Sequence, residues 1–157
     1  MNKTDALLEL HPYSYEVLQR KTLFNESLLE ELTHHYNNNK YYRKFCERKG
    51  FNPETFSGDI SDIPAVAVSV FKELGSMLRS VEADDIKISL QSSATSGVPS
   101  TVVLDKITSK RQSKAMIKVV QEFIGKERKH FIICDVKPNP ENLKLMGARF
   151  AAIGGYL

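Results

Sequence analysis

The 157-residue sequence has no tryptophan, only two cysteines and no long hydrophobic run. A membrane-spanning helix needs roughly 20 consecutive apolar residues, so we expect no membrane span. Residues 1–10 lack the basic start and apolar stretch of a secretory signal, and we expect a cytoplasmic location. The cysteines, Cys46 and Cys134, form neither a CxxC redox pair nor a zinc knuckle. We expect both to be free thiols, with Cys134 a small buried hydrophobic residue.

A strong excess of one charge is also absent. The 22 basic and 19 acidic residues leave a net charge of +3, which is too small and too dispersed for a nucleic-acid-binding surface. Apolar residues make up 41% of the sequence and charged residues 26%, as in ordinary globular proteins. The sequence therefore predicts one domain over 1–157 and no nucleic-acid partner, with a helical segment at 1–60 and an α/β segment at 61–157.

Helical signals dominate the beginning of the chain. Thr4 and Asn25 belong to the residue types that cap helix N-termini, so each predicts a helix that begins just after it. A further helical piece is predicted at 14–20. The adjacent His34 and His35 would point about 100° apart on a helix and cannot ligate one metal ion by themselves. We expect both histidines at the surface.

A separate helix is predicted at 40–49, after the interruption NNNK. Gly50 is expected to end it, because glycine readily adopts the left-handed conformation that follows many helices. Three apolar residues fall on one face of this helix and predict its buried side. They are Tyr42, Phe45 and Cys46.

Three segments predict β-strands. Residues 86–91 alternate apolar and polar side chains, which is typical of a half-buried strand. The β-branched run at 100–105 predicts the returning strand. The apolar run at 130–136 predicts a strand that is buried on both faces and lies centrally in the sheet.

An amphipathic helix is predicted at 109–124. Its apolar face comprises Met116, Val119, Val120, Phe123 and Ile124. For residues 65–74 the pattern fits either a short strand or the start of a helix. Together these elements predict an α/β fold in which N-terminal helices pack on a mixed β-sheet.

The loop QSSATSGVPS between the first two predicted strands is rich in hydroxyl side chains. A GxxxxGK[ST] nucleotide loop needs a lysine beside its last glycine and a helix directly after it. Here Val98, Pro99 and a strand follow Gly97, so this type of loop is excluded. The GxSxG motif of a serine nucleophile elbow is absent as well.

A phosphate-binding turn between two strands is the third interpretation of this loop. The hydroxyls of Ser92, Ser93, Thr95 and Ser96 and the backbone amides near Gly97 are suitable donors for the β- and γ-phosphates of ATP. The same composition fits a polar hairpin loop that binds nothing. The residue pattern alone leaves both interpretations open.

A family resemblance favours the phosphate-binding interpretation. The stretch SSATSGVPS resembles the [ST]-S-G-[ST]-[ST]-G-x-P signature of acyl-adenylate-forming enzymes, and its Pro-Ser ending resembles the LuxE-type acyl-protein synthetase branch known from bacterial bioluminescence. Further matches to that branch flank the loop, so the resemblance covers residues 28–157. These matches are His34-His35-Tyr36, Tyr42-Arg43-Lys44-Phe45, Asp62-Ile63-Pro64 and Phe71-Lys72.

The resemblance implies a reaction and a site. With ATP and Mg²⁺, the carboxylate of a fatty acid or another carboxylate substrate is activated as an acyl-adenylate, and the acyl group then passes to a protein thiol. The implied partners are an acyl-acceptor or reductase protein. No catalytic residue or metal ligand is carried over, and neither cysteine matches the acceptor position. The phosphate-binding residues carried over are Ser92, Ser93, Ala94, Thr95, Ser96, Gly97, Pro99 and Ser100.

Two positions depart from the pattern of the superfamily. Ala94 stands where glycine is usual, and nucleotide binding is weakened if that position needs a positive φ or a close backbone approach. Ser100 stands where the wider superfamily often has lysine, which removes one cation near the phosphates. The acyl-protein synthetase branch shares this second departure.

The same resemblance implies that 1–157 is the N-terminal portion of an adenylate-forming fold. We expect it to belong to a longer synthetase and to be inactive by itself. The alternative is a non-catalytic binding or scaffold module that retains the fold. An apolar surface left where the remaining part would dock predicts self-association.

Overall fold

The computed structural model of the chain describes residues 2–13, 17–92 and 97–134 and the backbone of 146–147. The helices are α1 (Lys3–Glu9), α2 (Val17–Asn38), α3 (Lys40–Arg48), α4 (Val68–Glu73) and α5 (Lys106–Ile124). The strands are β1 (Ile86–Gln91), β2 (Thr101–Asp105) and β3 (Met146–Gly147), and four short 3₁₀ turns occupy Pro53–Thr55, Ile60–Asp62, Gly75–Leu78 and Ala83–Asp85. None of the helices in the described ranges combines the length and hydrophobicity that a bilayer crossing requires.

Helices α1 and α2 begin at residues other than those predicted. Asn2 caps α1, because its side-chain oxygen accepts the backbone N–H of Asp5 at 3.2 Å, so the prediction of Thr4 as the cap is wrong. Thr4 donates instead to Glu31 at 3.0 Å. The prediction of a cap at Asn25 is also wrong, since α2 runs through it without interruption. Capping preference is a weak local signal, and the packing of α2 against its neighbours overrides it.

The predicted helix at 40–49 is confirmed as α3. Asn39 has an extended backbone, and its side-chain oxygen accepts the N–H groups of Tyr41 and Tyr42. The helical conformation is therefore interrupted between α2 and α3, as expected. Gly50 follows the helix with φ of +70°. Of the predicted apolar face, Cys46 is fully buried in the helical core and Tyr42 packs against that core, whereas Phe45 is not part of it. This core contains Leu32, Cys46 and Phe51, surrounded by Leu28, Tyr36, Tyr42, Phe56 and Ile63.

The structure decides the segment that the pattern left open. Residues 68–73 form helix α4, and the Gly75–Leu78 turn follows it closely. Helix α4 contacts both this turn and β2. The segment therefore connects the N-terminal helices with the sheet.

The sheet is mixed, as predicted, and the chain has the predicted α/β class. Strands β1 and β2 pair antiparallel, with Gln91 opposite Thr101 at the loop end. Strand β3 pairs parallel with the other edge of β1, so the order is β2-β1-β3. The strand predicted at 86–91 is confirmed, and the one predicted at 100–105 begins a residue later, at Thr101.

The prediction of a central strand at 130–136 is wrong for residues 130–134, and 135–136 lie outside the described residues. A strand forms only where another strand satisfies its backbone groups, and in the described sheet β2 and β3 already occupy both edges of β1. Ile132 is 94% exposed. Cys134 is exposed too, which corrects its prediction as a buried hydrophobic residue; both cysteines are free thiols as expected.

Helix α5 begins earlier than predicted, because Asp105 at the end of β2 caps it. The Asp105 carboxylate accepts the N–H of Thr108 at 2.6 Å. The predicted apolar face is only partly covered by the described residues. Met116 and Val120 are half-buried, whereas Phe123 is 75% exposed.

Candidate functional site

The loop of the β1–β2 hairpin is closed by two of the predicted phosphate-binding residues. The N–H of Ser92 donates to the backbone oxygen of Ser100 at 3.0 Å. In return, the Ser92 Oγ accepts from both the N–H and the hydroxyl of Ser100, each at 3.0 Å. A serine oxygen can accept two hydrogen bonds while donating its own hydrogen. Ser92 and Ser100 thus form the neck of the loop. Their hydrogen bonds leave the hydroxyl hydrogen of Ser92 available as a donor.

Gly97 lies on the returning side of the loop with φ of +91°. A Cβ added there meets no atom of the described residues within 4 Å. The left-handed backbone at this position is the feature that favours glycine. Gly97 is exposed, and Pro99 and Ser100 are half-buried. The other four predicted residues, Ser93, Ala94, Thr95 and Ser96, lie outside the described residues.

A cleft of about 730 Å³ lies beside this hairpin, between α2, the segment 71–81, β2 and the start of α5. Thr101, which directly follows the neck of the loop, is part of its lining. The lining is rich in charged and titratable side chains that come from four separate elements. Among them are Glu31, His34, His35, Arg79, Asp105 and Arg111.

Arg111 of α5 lies in the wall of the cleft and forms hydrogen bonds to two other helices. Its Nε donates to Asp5 of α1 at 2.9 Å and its Nη1 donates to Glu31 of α2 at 2.8 Å. Only 17% of its side chain is exposed. The hydrogen bond from Arg111 lowers the pKa of Asp5 below its ordinary value. Because two carboxylates compensate the guanidinium, Arg111 holds α1 and α2 against α5.

His34 and His35 lie at the rim of the cleft and are exposed, as predicted. The Nδ1 of His35 is 2.8 Å from the Ser80 hydroxyl. Desolvation lowers the pKa of His35, the charge of His34 lowers it further, and Glu31 opposes the shift. In the described part of the chain no three His, Cys, Asp or Glu side chains are grouped closely enough to hold a metal ion.

The two cysteines differ in their chemical availability. Cys46 has no exposed surface, and its burial raises the pKa of the thiol. A buried thiol with a raised pKa has little nucleophilic thiolate. Cys134 is the exposed thiol, on a segment without regular structure.

Sequence reasoning located the hairpin and its loop but missed the cleft. The residues that line it are separated along the chain, as Arg111 and Asp5 are by 106 positions. Asp105 carried the one local signal, since it stands between a strand pattern and a helix pattern where a cap is favoured. Arg79 and Ser80 lie in a segment that has no recognisable motif.

Comparison with known proteins gives a consistent assignment. Residues 2–157 match the family model described as "Acyl-protein synthetase, LuxE". A Vibrio harveyi protein named "Long-chain-fatty-acid--luciferin-component ligase" is 33% identical over 100 residues, which are 64% of this chain and 25% of that protein. The Aliivibrio fischeri protein of the same name is 29% identical over 107 residues, 68% of this chain and 27% of that protein. No solved structure matches the chain.

Proposed function

Because the chain belongs to the LuxE family of acyl-protein synthetases, we propose that it takes part in the ATP-dependent activation of a fatty acid for transfer to a protein thiol. The two similar proteins are named as ligases of a long-chain fatty acid. The matched segment spans about a quarter of their length. For this chain we therefore propose only the part of the site that binds the phosphates of the nucleotide.

The proposed reaction has two steps. An oxygen of the fatty acid carboxylate attacks the α-phosphorus of ATP, forming the acyl-adenylate while pyrophosphate leaves. A protein thiolate then attacks the acyl carbon, forming the thioester while AMP leaves. Such reactions depend mainly on positioning and on stabilisation of charge that develops on phosphate oxygens.

The loop of the β1–β2 hairpin is the feature that best supports this proposal. Its neck presents the Ser92 hydroxyl hydrogen, and Gly97 provides an exposed turn with a left-handed backbone. Successive backbone amides and hydroxyls in such a turn are suitable phosphate donors. The described part of the loop has no charged side chain, so Mg²⁺ bound with the nucleotide would supply the charge that neutralises the triphosphate.

Ser100 explains how the loop closes without the lysine that the wider superfamily often has there. Its N–H and hydroxyl both donate to Ser92. A lysine side chain could not reproduce this hydroxyl pair. In this chain the position serves the closure of the loop, which leaves phosphate binding to the remaining donors.

Fatty-acid-dependent exchange between pyrophosphate and ATP tests the proposal. In a synthetase that carries this segment, Ser93→Ala and Thr95→Ala should each reduce exchange, on the order of 10²–10³-fold for the loss of one such donor. Thr22→Ala, at an exposed position of α2, is the matched control and should leave exchange unchanged. Exchange that is insensitive to both loop substitutions would refute the phosphate-binding assignment.

A non-catalytic binding or scaffold module that retains the fold is the second candidate. We expect the 157-residue chain alone to catalyse little or no exchange. Titration of this chain with ATP separates the two candidates. Saturable binding that Ser93→Ala weakens supports the phosphate site, whereas absence of binding supports a scaffold.

A further inference from the structure

Helix α5 carries a row of lysines. Lys106, Lys110, Lys114 and Lys118 follow one another at every fourth position. Residues four apart on a helix are about 40° apart around its axis, so the four lysines lie within about 120° of one another around α5. Lys87 of the neighbouring strand β1 adds a fifth cation beside them.

Contacts within the described structure neutralise only part of this row. Lys118 donates to the Leu8 carbonyl oxygen of α1 at 2.6 Å. Glu9 of α1 binds Lys114 and also lies 3.4 Å from Lys118. Lys87, Lys106 and Lys110 are exposed and form no ion pair with the described residues. These three lysines leave uncompensated positive charge beside α5.

The row has an energetic cost for the helix itself. Like charges four residues apart repel one another. Cations in the first turns also oppose the helix dipole, and the Asp105 carboxylate at the N-cap compensates only part of their charge. An arrangement that weakens the isolated helix is expected where the charges bind something outside it.

A shallow groove of about 470 Å³ is lined by Lys87, Lys110, Lys114 and Lys118, but not by Lys106, and Ile117 forms its apolar centre. Ile117 lies within the groove and is 45% exposed. Ser109, Ser113 and Gln121 supply neutral hydrogen-bonding groups around it. The surface thus combines a hydrophobic contact point with surrounding cations.

This combination distinguishes between two anionic partners. Single-stranded nucleic acids bind to grooves in which aromatic side chains stack on bases, and the lining of this groove has no aromatic side chain among the described residues. An acidic amphipathic helix offers carboxylates at four-residue spacing with an apolar side chain between them. It complements both the lysine row and Ile117.

We propose that the α5 lysine row, comprising Lys87, Lys106, Lys110, Lys114 and Lys118, docks an acidic amphipathic helix of a partner protein around Ile117. Electrostatic complementarity of this kind speeds association and orients the partner. The surface is separate from the hairpin loop. The proposal therefore holds or fails independently of the proposed phosphate site.

Fluorescence anisotropy with a defined probe tests this docking. The probe is a labelled alanine-based helical peptide with glutamate at every fourth position and one leucine between the glutamates. Lys110→Glu and Lys87→Glu should each weaken binding about tenfold, because they place like charges opposite the peptide. The matched control Lys44→Glu makes the same charge change on α3 and should leave the affinity unchanged.

The apolar centre is tested separately. Ile117→Ser should weaken binding of the leucine peptide but not of the same peptide with serine in place of leucine. Equal weakening by Lys44→Glu, or no effect of the row substitutions, would overturn the proposal. Tighter lysine-row-dependent binding of a single-stranded DNA of equal charge would replace the acidic helix with nucleic acid and so overturn it as well.

Discussion

The side-chain amide of Asn39 donates a 2.9 Å hydrogen bond to the backbone oxygen of Arg79. The same amide donates to Met77, while its oxygen accepts the N–H groups of Tyr41 and Tyr42. Asn39 is only 3% exposed. One buried side chain therefore caps α3 and attaches it to the segment that lines the cleft.

Asn39→Asp should lower the free energy of unfolding by about 2–4 kcal/mol. In this variant a buried carboxylate oxygen would replace the amide N–H donors and face the carbonyl oxygens of Met77 and Arg79. Asn37→Asp, an exposed position two residues earlier, is the matched control, with an expected change within about 0.5 kcal/mol. Urea denaturation measures both. Similar losses in the two variants would show that the amide of Asn39 does not hold these elements together.

Asp5 predicts a specific acid sensitivity. The hydrogen bond from Arg111 holds the pKa of Asp5 below its ordinary value of 3.8, so the carboxylate contributes stability above that pH. This contribution disappears as the pH falls through the lowered pKa. Stability curves measured from neutral pH to pH 3 should therefore fall less steeply at their acidic end in Asp5→Asn than in the unaltered chain.

The control for this prediction is Asp84→Asn, which removes a carboxylate at an exposed turn. This variant should keep the acid-dependent slope of the unaltered chain. If Asp5→Asn has the same acidic slope as the unaltered chain, its ion pair with Arg111 does not contribute to folding.

Gly97 and Gly75 are expected to respond differently to replacement by alanine. Gly97→Ala should cost about 1–2 kcal/mol, because a side chain is disfavoured at its φ of +91° although no atom lies close. At Gly75 the added Cβ meets the Thr101 oxygen at an ordinary 3.7 Å, and Gly75→Ala should change stability by less than about 0.5 kcal/mol. Thermal unfolding of both variants measures the difference. Equal stabilities would mean that the loop does not need its left-handed residue.

The two thiols should react very differently with a thiol reagent in the folded chain. Cys134 is exposed, whereas Cys46 is buried and burial raises its pKa. Under native conditions we expect one rapidly modified thiol, and Cys134→Ser should abolish it. In denaturant the Cys46 thiol should become reactive as well. Two rapid thiols in the folded chain would contradict the burial of Cys46.

Local patterns predicted the elements whose structure depends on nearby residues. The apolar face and the asparagine interruption predicted α3, and alternation followed by β-branched residues predicted the β1–β2 hairpin. Both elements satisfy most of their backbone groups within a few residues or across one turn. The hairpin loop was found from the sequence for the same reason.

Other features depended on segments that are distant along the chain. The run at 130–134 has the composition of a buried strand, yet Ile132 is exposed because the described sheet is built from other segments. Asn25 can cap a helix, but α2 continues through it. The composition of a segment indicates which secondary structure it favours, but not which distant segments pack against it.

By itself, the sequence determined the helical beginning, the hairpin with its hydroxyl-rich loop and the resemblance to a family. Only the tertiary structure decided that Arg111 meets Asp5 and Glu31, that Cys46 is buried while Cys134 is exposed, and that a charged cleft adjoins β2. The reason is physical. Backbone preference acts between near neighbours, whereas burial and ion pairing depend on which distant elements pack together.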